Sequence, residues 1–153
     1  GEGNMSIFNA LNISTSGMTA QRLRMDVISE NIANVNTTRT SDGTPYRRKE
    51  VVFAEKANYP TFAQALSVQM GADGAVGKGV KVSQITEDTT TPEKMVYDPS
   101  HPDADENGYV SYPNVNTVTE MTDLIDASRA YEANTTAFNA SKSIALLGLQ
   151  IGE

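Results

Sequence analysis

The last third of the chain, Asn116 to Ile151, contains no Pro, and its only Gly lies near the end. Leu124, Tyr131, Phe138 and Ala145 recur every seven residues, and Met121 and Leu149 add to the same face, so one stripe of a helix is apolar. Thr117-Val118-Thr119-Glu120 has the form of a capping box, a hydroxyl for a free N–H and a carboxylate reaching back. Gly148 and Gly152 read as stops. At about 1.5 Å per residue the helix is on the order of 50 Å long, more than one small core can cover. It needs a partner helix, and the only other candidate is at the opposite end of the chain.

That candidate runs from Ser6 to about Asn34. Leu11, Met18, Met25 and Ile32 are spaced by sevens, and Ile28 and Val35 extend the stripe. Ala10, Gly17 and Ala20 are small enough to let another helix approach. Gly17 costs up to about 1 kcal/mol in a helix interior, which close packing would offset. The remaining residues are largely Ser, Thr, Asn and Gln, so the helix is marginal alone and is expected to gain stability in an assembly. Asn31, Asn34 and Asn36 sit where it ends and read as caps and turn formers. Gly1 to Asn4 precede Met5 and read as a remnant or short upstream extension outside the fold.

The middle is different in kind. Asp42-Gly43 marks a turn; Tyr46–Phe53, Val80–Ile85, Lys94–Tyr97 and Tyr109–Tyr112 have strand character, and Thr61–Met70 reads as a short helix or a second strand, the spacing of Phe62, Ala65 and Leu66 favouring the helix. Gly71 to Gly79 holds four glycines and reads as a loop. The expected fold class is therefore α+β. Residues 5–36 and 115–151 form a discontinuous domain of two long helices paired as an antiparallel coiled coil, and residues 37–114 form a small β-rich insertion.

Composition narrows the function. Residues 1–50 carry six Lys and Arg against five Asp and Glu, whereas residues 51–153 carry six against fourteen. Phosphate contacts need clustered cations, so no nucleic-acid partner is expected. The single basic cluster, Arg47-Arg48-Lys49, reads as a solvated strand face. The absence of cysteine removes disulfides and thiolate chemistry. No stretch approaches the ~18 apolar residues of a membrane span, and no cleavable signal is visible at the N-terminus.

Candidate chemistry is thin. His101 is the only histidine and has no nucleophile or base beside it in sequence, so neither an enzyme nor a small-molecule substrate is expected. Asp103-Ala104-Asp105-Glu106-Asn107-Gly108 matches the first half of a calcium loop, but position twelve is Asn114 rather than a bidentate Glu. An acidic turn with Gly108 at positive φ accounts for it, and no cofactor or metal is expected.

Asn31-Ile32-Ala33-Asn34-Val35-Asn36-Thr37 resembles the Asn/Ala-rich signature of the flagellar rod, hook and hook-associated axial proteins. Pro45-Tyr46-Arg47-Arg48-Lys49, the string from Tyr97 through Asp98-Pro99-Ser100-His101-Pro102 to Val110, and Glu120 through Ser128-Arg129-Ala130-Tyr131-Glu132-Ala133-Asn134 are similar to the FlgC family of proximal rod proteins in particular. The similarity runs from Met5 to the C-terminus. Thr37-Thr38-Arg39-Thr40 departs from the Thr-x-Gly-Tyr/Phe of many axial relatives, at a place where FlgC-like members vary.

The resemblance implies a structural subunit of the bacterial flagellar basal-body proximal rod. Its terminal helices would pair and stack into the tube wall, with the middle segment packed outward. The implied partners are other rod proteins, copies of itself and, during secretion, the flagellar type III export apparatus. The implied location is the rod in the periplasmic space, reached without a cleaved signal peptide. Leu11, Met18, Met25, Ile28, Ile32, Met121, Leu124, Tyr131 and Phe138 are the expected pairing and subunit-contact surface, and Asn31, Asn34 and Asn36 are expected to fix the helix exit. The alternatives are another axial subunit or a calcium-binding β module with helical arms.

Overall fold

A computed structural model describes residues 2–56 and 77–151. The elements are helix α1 (Glu2–Ala33), strands β1 (Lys49–Glu55), β2 (Val80–Glu87), β3 (Lys94–Tyr97) and β4 (Tyr109–Tyr112), and helix α2 (Thr117–Ile151). The α+β class is as expected, with a helix at each end and two small sheets between them. β1 pairs with β2, and β3 pairs antiparallel with β4 in the register Lys94↔Tyr112 to Tyr97↔Tyr109. The expected helix at Thr61–Met70 and most of the glycine-rich loop lie outside the described residues.

Several boundaries differ from the sequence reading. α1 starts at Glu2 rather than Ser6, and β1 starts at Lys49 rather than Tyr46. Gly148 does not stop α2, which continues to Ile151; nothing packs where its Cβ would be, so it is an ordinary helical position there. The capping box is not formed either. Asn116 Oδ1 accepts from the backbone N–H groups of Val118 and Thr119 at 3.0 and 3.3 Å. An Asn at the N-cap does this chemistry as well as Thr, which releases the Glu120 carboxylate for another use.

Both helices accommodate their many hydroxyls internally. Thr15, Thr19 and Ser29 on α1, and Thr122, Thr135, Thr136 and Ser143 on α2, each donate to the carbonyl four residues earlier. A hydroxyl satisfied by its own helix does not compete for the backbone elsewhere. Such positions can therefore sit in long helices at little cost.

The chain divides into two compact units. The first draws on Gly1–Ala20, Phe53–Val82 and Ala130–Glu153, the second on Gln21–Val52 and Ser83–Arg129. In the first, the buried positions of α1 are Ser14, Ser16, Gly17 and Ala20, all small. A Cβ on Gly17 would lie 2.5 Å from Asn134 Oδ1, so any side chain there would have to displace the Asn134 carboxamide of α2. Gly79, at φ +98°, lies against α1, and the Val80 N–H donates to Ser16 Oγ at 3.1 Å. The strand β2 is thus pinned to α1 at its first residue.

In the second unit the apolar core consists of Val27, Ile28, Tyr46, Val110 and Ala127. β4 alternates as a half-buried strand should, with Val110 fully buried and Tyr109 outside. Gly108, at φ +83°, turns the chain into β4 beside the Tyr97 ring, and Tyr97 meets Tyr109 edge-on at 5.2 Å. α1 and α2 run antiparallel here, since Arg24 reaches Asp123 while Asn31 reaches Glu120.

Candidate functional site

The most constrained place in the second unit is polar. Asn31, near the end of α1, is fully buried, as is Glu120 in the first turn of α2. Asn31 Nδ2 donates to Glu120 Oε2 at 3.0 Å and to the Lys49 carbonyl at 2.9 Å. Its Oδ1 accepts from Tyr46 Oη at 2.8 Å and from the Lys49 N–H at 2.9 Å. Two donors and two acceptor positions are the full capacity of a carboxamide. Asn31 therefore joins α1, the entry to β1 and α2 with nothing left over.

Glu120 is held from its other side by Arg48 Nε, while the Arg48 guanidinium also meets Glu50 and lies 3.6 Å from Asp123. Burial works against the Arg48 charge, but the hydrogen bond and the charge of Glu120 outweigh it and leave the guanidinium held more firmly protonated than usual. Tyr46 is pushed up to about 12 by burial first, and then by the carboxylates of Glu30, Glu120 and Glu87. A neutral phenol that keeps its proton is the right donor for Asn31 Oδ1.

Asn114 extends the junction. Its Oδ1 accepts from the Arg48 N–H at 2.8 Å, and its Nδ2 donates to the carbonyls of Asp88 and Thr91 at 2.9 and 3.1 Å. The turn it holds is closed by Asp88, whose carboxylate accepts from Thr91 and Thr90, side chain and backbone alike, and stays well below the usual carboxylate range.

The Arg47-Arg48-Lys49 cluster is thus not a solvated strand face. Arg47 pairs with Glu93 at 3.2 Å, Lys49 with Glu30 at 2.6 Å, and Arg48 turns inward. Each of the three cations meets a carboxylate from another segment of the chain. Of the three asparagines, only Asn34 behaves as a turn former, its Nδ2 donating to the Glu30 carbonyl at 3.0 Å and its Oδ1 accepting from Thr37. Asn36 is exposed, and Asn31 is the buried hub rather than a cap.

The apolar positions expected on the pairing surface are arranged more loosely. Ile28 is buried, while Leu11, Met18, Met25, Ile32, Leu124, Tyr131 and Phe138 are half-buried and Met121 is 52% exposed. Sequence reasoning missed Glu120, Tyr46, Arg48 and Asn114 as members of one site. The signal available was heptad spacing: Glu120 stands seven residues before Ala127 and fourteen before Asn134, on the face that meets α1.

The acidic string has no spare carboxylates pointing together. Asp105 Oδ1 accepts from the Asn107 and Tyr109 N–H groups, and Asp103 accepts from Thr38 at 2.8 Å and lies 3.6 Å from Arg39. His101 Nδ1 accepts from the Asp103 N–H and its ring meets Tyr112 edge-on. Among the described residues no three metal-binding side chains converge, and no helix is long and apolar enough to cross a membrane.

Among the described residues, two open surfaces stand out. One is a groove of about 730 Å³ with a mixed lining, Val35, Val96 and Val118 beside Asn36, Lys94 and Asn116. The other is the far end of α2, where Ile144, Leu146, Leu147, Leu149 and Ile151 are all more than half exposed.

Comparison with known proteins gives a consistent picture. Residues 11–39 match a family model described as flagella basal body rod protein, and residues 106–151 one described as flagellar basal body rod FlgEFG protein C-terminal. The chain is 51% identical over 144 residues to the flagellar basal-body rod protein FlgC of Borreliella burgdorferi, covering 92% of this chain and 93% of that relative. It is 48% identical to the protein of the same description from Bacillus subtilis and 40% identical to that from Escherichia coli O157:H7, in each case covering 97% of this chain and all of the relative.

Proposed function

The chain belongs to the FlgC family of flagellar basal-body rod proteins, and from that premise we propose how its parts serve the rod. It is a structural subunit of the bacterial flagellar basal-body rod. It occupies the proximal segment, acts without catalysis and assembles with other rod proteins and with copies of itself. Residues 5–36 and 115–151 supply the axial helical core, and residues 37–114 pack outward from it.

The observation that carries the assembly reading is the exposed apolar end of α2. Five large aliphatic side chains within Ile144–Ile151 are more than half exposed. Contiguous apolar surface of this kind marks a protein contact. Heterologous contacts between non-identical patches build helical or ring assemblies, and a tube wall is such an assembly. Val118, Met121 and Ile125 are also exposed, at the start of the same helix. Leu11, Met18, Met25, Ile28, Ile32, Leu124, Tyr131 and Phe138 serve pairing within the subunit and contacts between subunits. Asn31, Asn34 and Asn36 direct the chain out of α1 towards the middle segment.

The subunit passes through the flagellar type III export apparatus without a cleaved signal and reaches the rod in the periplasmic space. Long polar helices that gain much of their stability on assembly suit transit as an extended chain.

Deletion of the gene, scored by electron microscopy of isolated basal bodies, tests this reading. Membrane rings should persist while the rod and everything beyond it are missing. Complete, motile flagella in the deletion strain would overturn it.

A further inference from the structure

The apolar pattern shared by the terminal helices is degenerate. Met18, Met25 and Ile32 on α1, and Leu124, Tyr131 and Phe138 on α2, each recur every seven residues. Sliding one helix past the other by a heptad, on the order of 10 Å, again presents apolar side chains to apolar side chains. Such contacts hold two helices together without specifying where they meet.

Within the second unit, the side chains that distinguish one alignment are polar. Asn31 and Glu120 face each other with no exposure to solvent, and Asn31 uses its whole hydrogen-bonding capacity in this one arrangement. Slipped by a heptad in one direction, Asn31 would meet Ala127; in the other it would meet Pro113, ahead of α2. Neither side chain offers a hydrogen bond. The second slip would give Glu120 the cation of Arg24 but would strand Asn31 and Arg48. Leaving a buried polar group unpaired is strongly unfavourable, whereas buried ion pairs add little net stability over apolar packing.

We propose that the Asn31–Glu120–Arg48 contact sets the register of α1 against α2, so that these are positioning residues. The apolar faces provide attraction, and the junction selects one alignment from several of similar apolar content. A single buried polar residue fixes register in helical pairs in the same way. Because Arg48 lies at the entry to β1 and is tied to Asn114, the alignment of the helices is passed directly to the middle segment.

The full chain has no cysteine, so two exposed sites can be spin-labelled cleanly through Asp26→Cys and Thr122→Cys. Pulsed electron resonance on this parent should give one narrow distance. In the background Arg48→Met/Glu120→Leu, helical circular dichroism should be retained while a second population appears, displaced by up to about 10 Å, one heptad of rise. One unchanged distance in the double variant would overturn the proposal, because register would then be set elsewhere. Loss of helicity in that variant would overturn it too, since the junction would then supply stability itself. A merely structural role does not split the distance while leaving helicity intact.

Discussion

Replacing Glu120 by alanine removes the carboxylate that Asn31 and Arg48 share, and leaves a buried donor of Asn31 and the part-buried Arg48 Nε–H unpaired. Breaking a buried pair in this way costs about 3–5 kcal/mol, so Glu120→Ala should lower stability to denaturant by that order. A loss within experimental error would mean that water reaches the junction. Tyr46 makes a separate prediction in pH. Its folded value of about 12 exceeds the ordinary 10.0, because burial and then Glu30, Glu120 and Glu87 disfavour the phenolate. The stability it contributes is complete below pH 10 and is lost as pH rises towards 12. Thermal melts across that window should fall more steeply for the parent than for Tyr46→Phe, which cannot ionise. At neutral pH the same variant should be less stable by about 1 kcal/mol, the worth of its lost bond to Asn31. Equal slopes would show that Tyr46 does not resist ionisation.

Two helices with so little continuous apolar surface depend on close approach, and Gly17 is where that can be measured. An alanine there gains up to about 1 kcal/mol of helix propensity. Its Cβ, however, would meet the whole Asn134 carboxamide, whose Nδ2 is already committed to the Ala130 carbonyl at 2.8 Å. Overpacking of this kind costs about 1–3 kcal/mol, so the net effect should be destabilising. Adding Asn134→Ala should recover most of the loss, giving a coupling above about 0.5 kcal/mol in a double-mutant cycle. Additive effects would indicate that the two residues do not touch. Strands depend on glycine in the same way at Gly79, where the backbone is left-handed and the neighbour is Ser16. There any side chain is strained as well as crowded.

For the whole molecule, folding and assembly draw on different apolar residues and can be separated. Ile144 and Leu147 are 59% and 58% exposed, so changing both to serine should leave the melting of the free chain within about 0.5 kcal/mol and yet abolish swimming in soft agar. Leu124→Asp and Phe138→Asp, at half-buried positions, should also abolish motility while leaving expression intact. Normal swimming in all of these variants would remove the assembly role from α2.

Within the described residues, the sequence by itself determined the helices, the strands and the family. Seven-residue spacing marks both long helices, and Lys94–Tyr97 and Tyr109–Tyr112 read as strands with Gly108 at a turn between them, because these signals are local. It also suggested why Gly17 is tolerated. Only the tertiary structure decided what Asn31, Tyr46, Arg48, Asn114 and Glu120 do. Each has a satisfactory local reading as a cap, a strand residue or a turn former. Heptad spacing puts Glu120 on the face that meets α1, but it does not name Asn31, 89 residues away, as its partner. What turns a capping glutamate into a buried acceptor is the burial itself: once α1, α2 and β1 exclude water from one point, every polar atom there must find its partner in another segment.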